Sequence, residues 1–444
     1  MLSEFFAFSP EILKVIKFLD PFLTVVWQIF KNWWWLPLPF ILWRPFSFLY
    51  LWWRTDIFLS KLNFVLLEVK IPQEVLKPIR AMETVMSALR QTIYDPPDWW
   101  EKWIDGKINL SYAFEIVSLG GAVHFYIRIP KGIRDSIEAI VYGQYPQAEI
   151  SLAEDYAKKV PQDVPNKEWD LWGADYKLLR ANPYPIKTYS QFETEHEAKE
   201  EKRIDPLAGL LEAMAKVKPG AELWVQICAT PITNKEIPWI TEGQKIRDIL
   251  AKRIKKEPGQ RPMLLEAVDV IITGEPPAEP SEEEELLPPE MKLTPGEKDI
   301  ITGVEEKISK PGFNVNIRFI YLGKRENFFK PNLRLVFGFF ASYLTENLNG
   351  LVPWGKTLTK IHKSWFLPLN LVFKRRLYIR QRKLFKNYKR RISPLFPLPG
   401  GTFVLNIEEM ASLFHFPGKA VAPAPFMPRV ETKKGEAPSD LPTE

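Results

Sequence analysis

The chain has 444 residues, a hydrophobic fraction of 46% and a formal net charge of +6. This length is sufficient for two or three domains with a sizeable core. A single cysteine, Cys228, excludes an intramolecular disulfide bond and a cysteine-rich zinc site. It lies in the strand-like run ELWVQICATPI, which indicates a buried core residue rather than a reactive thiol.

The N-terminal segment 1–60 is predicted to be amphipathic and either transmembrane or membrane-anchoring. As a helix, residues 32–53 would extend about 33 Å, which is the thickness of one hydrocarbon core. The ends of this run carry the tryptophans of a membrane-interface belt, Trp33, Trp34, Trp35, Trp52 and Trp53. Arg44 and three prolines oppose a regular spanning helix, so spanning, re-entrant and interfacial arrangements and a buried aromatic helix all stay open. We expect localisation at the cell membrane, with the bulk of the chain on the cytoplasmic side.

Residues 64–156 have the element order β-α-β-β-α-β of a ferredoxin-like domain. The run RAMETVMSALRQTIY has apolar residues at helical spacing, and SYAFEIVSLGGAVHFYIRIP contains two alternating strands joined by a hairpin signal. A helix, KGIRDSIEAIVYGQYP, and a strand, AEISLAEDY, complete the pattern. His124 is interpreted as a packing residue, because no nearby carboxylate or cysteine has the spacing of metal ligands.

Residues 165–348 are predicted to form a second α/β domain, with Asp205 as the N-cap of one helix. The acidic, proline-rich stretch 275–293 has no periodicity and is predicted to be a disordered insertion. Without it, the remaining elements indicate a second and distorted ferredoxin-like sheet. The predicted fold class is therefore α+β, with ferredoxin-like βαββαβ modules preceded by an N-terminal hydrophobic membrane segment.

A basic and aromatic segment occupies residues 349–404. The stretch between Glu346 and Glu408 contains thirteen lysines and arginines and no acidic residue. The candidate anion-binding residues are Lys374, Arg375, Arg376, Arg380, Arg382, Lys383, Lys389, Arg390 and Arg391. The aromatic residues among them are Phe373, Tyr378, Phe385 and Tyr388. This composition suits single-stranded nucleic acid, an anionic membrane surface or the acidic surface of a partner protein, and the three alternatives stay open.

The run GLVPWGKT, from Gly350 to Thr357, fits the pattern of a phosphate-binding loop. Pro353 removes one backbone amide and Trp354 crowds the loop, and no acidic residue follows that would hold magnesium. A nucleotide hydrolase acting through Lys356 is therefore the least favoured function. No other catalytic or metal-binding set of residues is found, so we predict a protein that is not an enzyme and has no cofactor.

Residues 405–418, LNIEEMASLFHFPG, are predicted to form a connector helix with Asn406 as N-cap, and 419–444 a disordered proline-rich tail. The residues predicted to dock a partner are Met410, Leu413, Phe414, His415 and Phe416. This apolar face either packs back on the core of the chain or is offered to a partner protein.

Three runs together resemble a known family: AFEIVSLGGAVHFYIRIPKGIRDSIEAIVYGQYPQAEI, FNVNIRFIYLGKRENF, and LNIEEMASLFHFPG followed by EAPSDLPT. The resemblance is to the N-terminal, non-ATPase region of conjugation-type (type IV secretion) ATPases of the FtsK/HerA superfamily in uncultured bacteria. Its most specific residues are Asn406, Glu408, Glu409, Ala411, Leu413, His415, Phe416 and Pro417.

In that family the region leads into a motor domain, and the resemblance here stops where the motor would begin. What the resemblance implies is a non-enzymatic, membrane-associated accessory subunit that docks to a separately encoded, hexameric translocation ATPase. The alternative is a membrane-proximal protein that binds single-stranded nucleic acid, with single-stranded DNA as the candidate strand.

Overall fold

The fold is taken from a computed structural model of the chain. It describes residues 38–71, 77–192, 205–251, 293–329, 331, 333–360, 372–394 and 397–417, with several positions between 21 and 36. Residues 275–292 of the predicted insertion and the tail 419–444 lie outside the described residues. The chain divides into two compact units: Met1–Leu62 with Pro96–Ile108, and Asn63–Asp95 with Asn109–Glu444.

The first unit contains helix α1 (Leu38–Lys61) and a π-helical turn (Glu101–Asp105). The ring of Trp103 stacks on those of Trp43 and Tyr50, with centroid distances of 6.4 and 6.2 Å. Gly106 ends the turn with φ of +72°, and a Cβ atom there would lie 2.4 Å from the backbone carbonyl of Arg54. Only glycine fits this close approach.

The predicted transmembrane helix is wrong for the described residues. None of their helices is both long enough and apolar enough to pass through a bilayer. Although α1 has 24 residues, it includes Arg44, Arg54 and Asp56, and its tryptophan and tyrosine rings carry polar N–H and O–H groups. The tryptophans predicted to mark the membrane interface are exposed where they are described: Trp33, Trp35, Trp52 and Trp53. Trp34 lies outside the described residues.

The second unit is built on an antiparallel sheet in which nine described strands take part. The strands are β1 (Phe64–Lys70), β2 (Tyr112–Leu119), β3 (Ala122–Pro130), β4 (Glu149–Leu152), β5 (Trp169–Leu178), β6 (Ala221–Ile232), β7 (Gly312–Lys324), β8 (Leu351–Pro353) and β9 (Phe403–Asn406). The spatial order is β4-β1-β3-β2-β6-β7-β5-β8, and β9 pairs with β7. The fold class is therefore α+β.

The described helices of this unit are α2 (Arg80–Ile93), α3 (Arg134–Gln144), α4 (Tyr189–Phe192), α5 (Ala208–Ala215), α6 (Trp239–Leu250), α7 (Pro295–Ser309), α8 (Leu333–Ala341), α9 (Phe373–Arg390) and α10 (Ile407–Leu413). Residues 184–192 form a loop followed by α4 rather than a strand. Thr294 and Glu297 form a capping box at the start of α7, which explains where this helix begins.

Two βαββαβ patterns share this one sheet. The first runs β1-α2-β2-β3-α3-β4 and has the spatial order β4-β1-β3-β2. The second runs β5-α5-β6-β7-α8-β8, with α6 and α7 between β6 and β7, and has the equivalent order β8-β5-β7-β6. The two join through β2 and β6, which pair from Tyr112–Ala229 to Leu119–Glu222. The predicted second sheet is therefore corrected, because its strands continue the first sheet.

Each face of the sheet carries its own apolar cluster. Residues of α2, α3, α5, α8 and α10 join the core on one face, which includes Met86, Ile137 and Met214. On the other face, α9 and the segment around Tyr156 cover Trp224. The central strands β2, β6 and β7 are thus buried on both sides, which explains their largely apolar sequences.

Candidate functional site

The most strongly charged element of the described chain is helix α9. Nine of its eighteen residues are basic and none is acidic. These are Lys374, Arg375, Arg376, Arg380, Arg382, Lys383, Lys386, Lys389 and Arg390. Its apolar face packs on the sheet through Leu384, Phe385 and Tyr388, which are all buried. Of the aromatic residues predicted to stack on bases, Tyr378 is exposed and Phe373 is half-buried, whereas Phe385 and Tyr388 belong to the core.

Several of the predicted anion-binding residues hold the helix in place. Arg380 donates to the backbone oxygens of Gly355 and Leu358, at 3.2 and 2.9 Å. Arg382 and Lys389 both donate to Gln162, at 3.3 and 2.7 Å. Burial lowers the pKa of Arg380 and that of Lys389, and neighbouring cations act in the same direction.

A second group of cations faces solvent, and we call it the basic ridge: Lys374, Arg375, Lys383 and Lys386. All four side chains are exposed, and they form no ion pair with any other described residue. Arg375 and Lys386 are eleven residues apart, which places them about 17 Å apart along the helix axis. A row of unpaired cations at this spacing is suited to a linear polyanion.

Arg391 follows α9 and does not belong to the exposed set. It takes the left-handed conformation, with φ of +53°, and its side chain is buried. Its guanidinium donates to Glu115 and to Asp155, each at 2.8 Å. Burial lowers the pKa of Arg391, but the two carboxylates outweigh it and hold the pKa above its ordinary value. This arginine therefore fastens the end of α9 to the sheet.

A row of polar side chains crosses the sheet beneath α9. Glu115, Gln226, Arg318 and Asp175 stand opposite one another on β2, β6, β7 and β5. Gln226 donates to Glu115 at 2.7 Å, and Arg318 donates to Asp175 at 2.6 Å. All four are buried, and their hydrogen bonds are made within the row, to neighbouring strand residues such as Asn316, or to the elements that cover the row. The sequence feature that could have indicated this row is a polar residue at an inward-facing position of each apolar strand.

His124 lies near the edge of the same face. Its Nδ1 atom is 2.6 Å from Oε1 of Glu68, in a half-buried pair. The hydrogen bond to His124 lowers the pKa of Glu68 below its ordinary value. Cys228 lies inside the sheet, where burial raises the pKa of its thiol to about 12. A thiol of this kind is protonated at neutral pH and is a poor nucleophile.

The residues predicted to dock a partner lie in the core of the chain. Met410, Leu413, Phe414, His415 and Phe416 are all buried. The ring of Phe414 packs on Phe114 with a centroid distance of 5.0 Å. His415 contacts Asp205 and the backbone oxygen of Ala411, each at 2.9 Å. Of the two alternatives open in the sequence, the structure has α10 packed back on the chain itself.

The start of α10 is fixed by a buried carboxylate. Glu409 accepts from the backbone amides of Asn406 and Ile186 and pairs with Lys307 at 3.1 Å. Asn406 caps the helix by accepting from the amide of Glu409, which completes a capping box. The sequence element that resembles the connector of the ATPases therefore closes the core in this chain.

The segment Gly350–Thr357 forms β8 followed by a turn rather than a loop that leads into a helix. Lys356 is exposed, and its Nζ atom lies 5.6 Å from the ring centroid of Trp354. A glycine-rich phosphate-binding loop uses backbone amides at the start of the helix that follows it, and this turn has no such helix within the described residues. The described residues also contain no group of three histidine, cysteine or acidic side chains placed to hold a metal ion.

Comparison with known proteins identifies one family for most of the chain. No curated protein matches the chain in sequence. The model of a protein family described as "Domain of unknown function (DUF8128)" matches residues 77–422. These residues include the first βαββαβ pattern from α2 onwards, the whole second pattern, α9 and α10, whereas β1 precedes them. The matched part is more than half of the chain, and the chain therefore belongs to the DUF8128 family.

Proposed function

We propose that this chain is a non-enzymatic accessory subunit that binds nucleic acid through the basic ridge of α9. The observation that carries the proposal is the ridge itself: four exposed cations on a helix whose apolar side is anchored in the core. Because the helix is held by Arg380, Arg382 and Lys389, the ridge is in place before a ligand arrives. Such pre-ordering lowers the entropic cost of binding.

The ridge suits the sugar–phosphate backbone rather than base edges. Lysine and arginine contacts to phosphates position a protein on a strand but carry no sequence information. We therefore expect binding that is insensitive to sequence and weakens steeply with salt.

The proposed protein partner of the chain is a translocation ATPase encoded by a separate gene. Its support is the resemblance of the three sequence runs to the non-ATPase region of conjugation-type ATPases. Since the predicted docking residues on and after α10 are buried, we expect such a motor to contact another surface of the chain. Co-purification of the chain with a motor encoded nearby tests this part, and recovery of the chain alone under the same conditions would argue against it. Localisation at the cell membrane stays a prediction.

Fluorescence anisotropy with a labelled 30-nucleotide DNA strand tests the ridge. The ridge variant replaces four cations by glutamine: Lys374→Gln, Arg375→Gln, Lys383→Gln and Lys386→Gln. A matched control changes the same number of exposed cations elsewhere on the second unit: Lys131→Gln, Lys218→Gln, Lys235→Gln and Lys298→Gln. We expect the ridge variant to bind at least tenfold more weakly than the control, since each phosphate contact adds to the salt-dependent term.

Equal affinities for the ridge variant and the control would refute the nucleic-acid proposal. Vesicles with anionic lipid headgroups form a second arm of the experiment, because a lipid surface is also a polyanion. Binding to these vesicles without binding to DNA would overturn the nucleic-acid proposal and assign the ridge to a membrane surface.

A further inference from the structure

A cleft of about 420 Å³ lies beside the N-terminal half of α9. It lies along β5, whose residues Trp169–Asp175 pair with β7 on one side. On the other side, β8 pairs only with Tyr176–Leu178. The volume falls in the range of about 300–1,000 Å³ that small-molecule sites occupy. Phe373 and Leu377, from the first turns of α9, line one side of the cleft. The cleft and the basic ridge are thus built on the same helix.

The walls of the cleft are rich in aromatic rings. Four aromatic residues line it, each half-buried: Trp172, Phe328, Phe337 and Phe373. The rings of Trp172 and Phe337 meet edge to face, with centroids 5.4 Å apart. Rings in this arrangement leave flat apolar surfaces on which a planar ligand can stack.

The charged groups of the cleft favour an anion. Arg334 and Lys360 line it and are exposed, and neither forms an ion pair with another described residue. Among the described residues of the lining, Asp170 is the one carboxylate, and it is already engaged: it accepts from Gln381 at 3.2 Å and pairs with Arg325 at 3.3 Å. A ligand in the cleft therefore meets aromatic walls and two unpaired cations.

We propose that the cleft holds an unstacked base of a single-stranded nucleic acid whose phosphates lie along the basic ridge. The inference rests on the proposed function and adds the strand type to it. Phe373 in the cleft is followed directly by Lys374 and Arg375 of the basic ridge, so the cleft and the start of the ridge lie within one turn of α9 and one strand can contact both. A base paired within a duplex is not free to enter such a cleft, which selects single strands.

The test compares two DNA strands of twelve nucleotides with equal numbers of phosphates. One is oligothymidylate and the other carries abasic sites throughout. The ridge alone would bind both equally, whereas the cleft adds a contact that only the strand with bases can make. Stacking of one base predicts a preference of roughly 5- to 150-fold for oligothymidylate.

Phe373→Leu removes one ring of the cleft while keeping an apolar residue at the start of α9. We expect this variant to lose most of the preference for bases and to bind the abasic strand as the wild type does. Phe329→Leu is the matched control, because Phe329 is 58% exposed and does not line the cleft. A thermal melt of each variant confirms that it is folded before its binding is compared.

The outcomes separate this inference from the proposed function. Equal binding of both strands by the wild type overturns the cleft proposal and leaves the ridge proposal standing. Absence of binding to either strand overturns both proposals. Competition by thymidine monophosphate as effective as that by the whole strand would assign the cleft to free nucleotides and overturn the inference.

Discussion

Nε of Arg391 lies 2.8 Å from Oε1 of Glu115, although the two residues are 276 positions apart in the sequence. Arg391 terminates the basic helix, and Glu115 lies on the strand through which the first βαββαβ pattern joins the second. The same carboxylate accepts from Gln226 and from the hydroxyl of Tyr156, each at 2.7 Å. The contact between Arg391 and Glu115 therefore couples the position of the basic ridge to β2, the strand through which the two patterns join.

Replacement of Arg391 by alanine is expected to destabilise the second unit by about 3–5 kcal/mol, because it leaves a buried carboxylate without its cation. Urea unfolding followed by circular dichroism measures the change. Arg375→Ala removes an equally charged but exposed residue of the same helix, and we expect a change within about 0.5 kcal/mol. Similar losses in both variants would show that Arg391 is not the residue that fastens α9.

Phe414→Ala tests whether α10 and the residues that directly follow it belong to the core. The side chain is buried and contacts Phe114 and Phe125, with centroid distances of 5.0 and 5.9 Å. Truncation of a buried phenylalanine costs about 3–5 kcal/mol, so the unfolding midpoint is expected to fall clearly. Phe329→Ala serves as the exposed control. An unfolding midpoint unchanged by Phe414→Ala would contradict the packing of α10 in the core and would favour its role in docking a partner.

Glu222 is expected to give the second unit a distinctive pH dependence. Burial raises the pKa of this carboxyl to about 7, although Trp224 donates a hydrogen bond to it at 2.9 Å. The folded state holds the proton of Glu222 more tightly than the unfolded state, so protonation of Glu222 stabilises the fold. This contribution to the free energy of unfolding is complete below about pH 4.5. It is lost as the pH rises through about 7.

Glu222→Gln keeps a hydrogen-bond acceptor but has no proton to lose. Between about pH 5 and pH 8 we therefore expect its unfolding midpoint to decline less than that of the wild type. Glu326→Gln, at an exposed position, is the control and should follow the wild type. The account of Glu222 fails if the two variants show the same pH profile.

The sequence predicts the first βαββαβ pattern well, because each element has a clear period and is bounded by turns. The helix at Arg80–Ile93 buries Met82, Val85, Met86 and Leu89, which are the apolar residues recognised by their spacing. The sequence does not predict that the two patterns join in one sheet. Pairing of β2 with β6 connects residues about a hundred positions apart, and periodicity within a strand does not specify its neighbour.

The candidate site was predicted in part. The basic composition of α9 locates the ridge, but it does not separate Lys383, which faces solvent, from Arg391, which turns inward in the left-handed conformation. Phe385 and Tyr388 look like stacking rings in the sequence and are core residues in the structure. The cleft has no sequence signature, because Trp172, Phe337 and Phe373 come from distant segments.

The central claim is that the basic ridge of α9 binds nucleic-acid phosphates, and the salt dependence of binding tests it most directly. For single strands, each neutralised phosphate contributes about −0.7 to the slope of log K against log salt concentration, so four contacts contribute about −3. We predict that neutralising the four ridge cations reduces the slope of the wild type by about this amount, while the four control lysine changes leave it unaltered. A slope that is the same in the wild type and in the ridge variant would contradict the account.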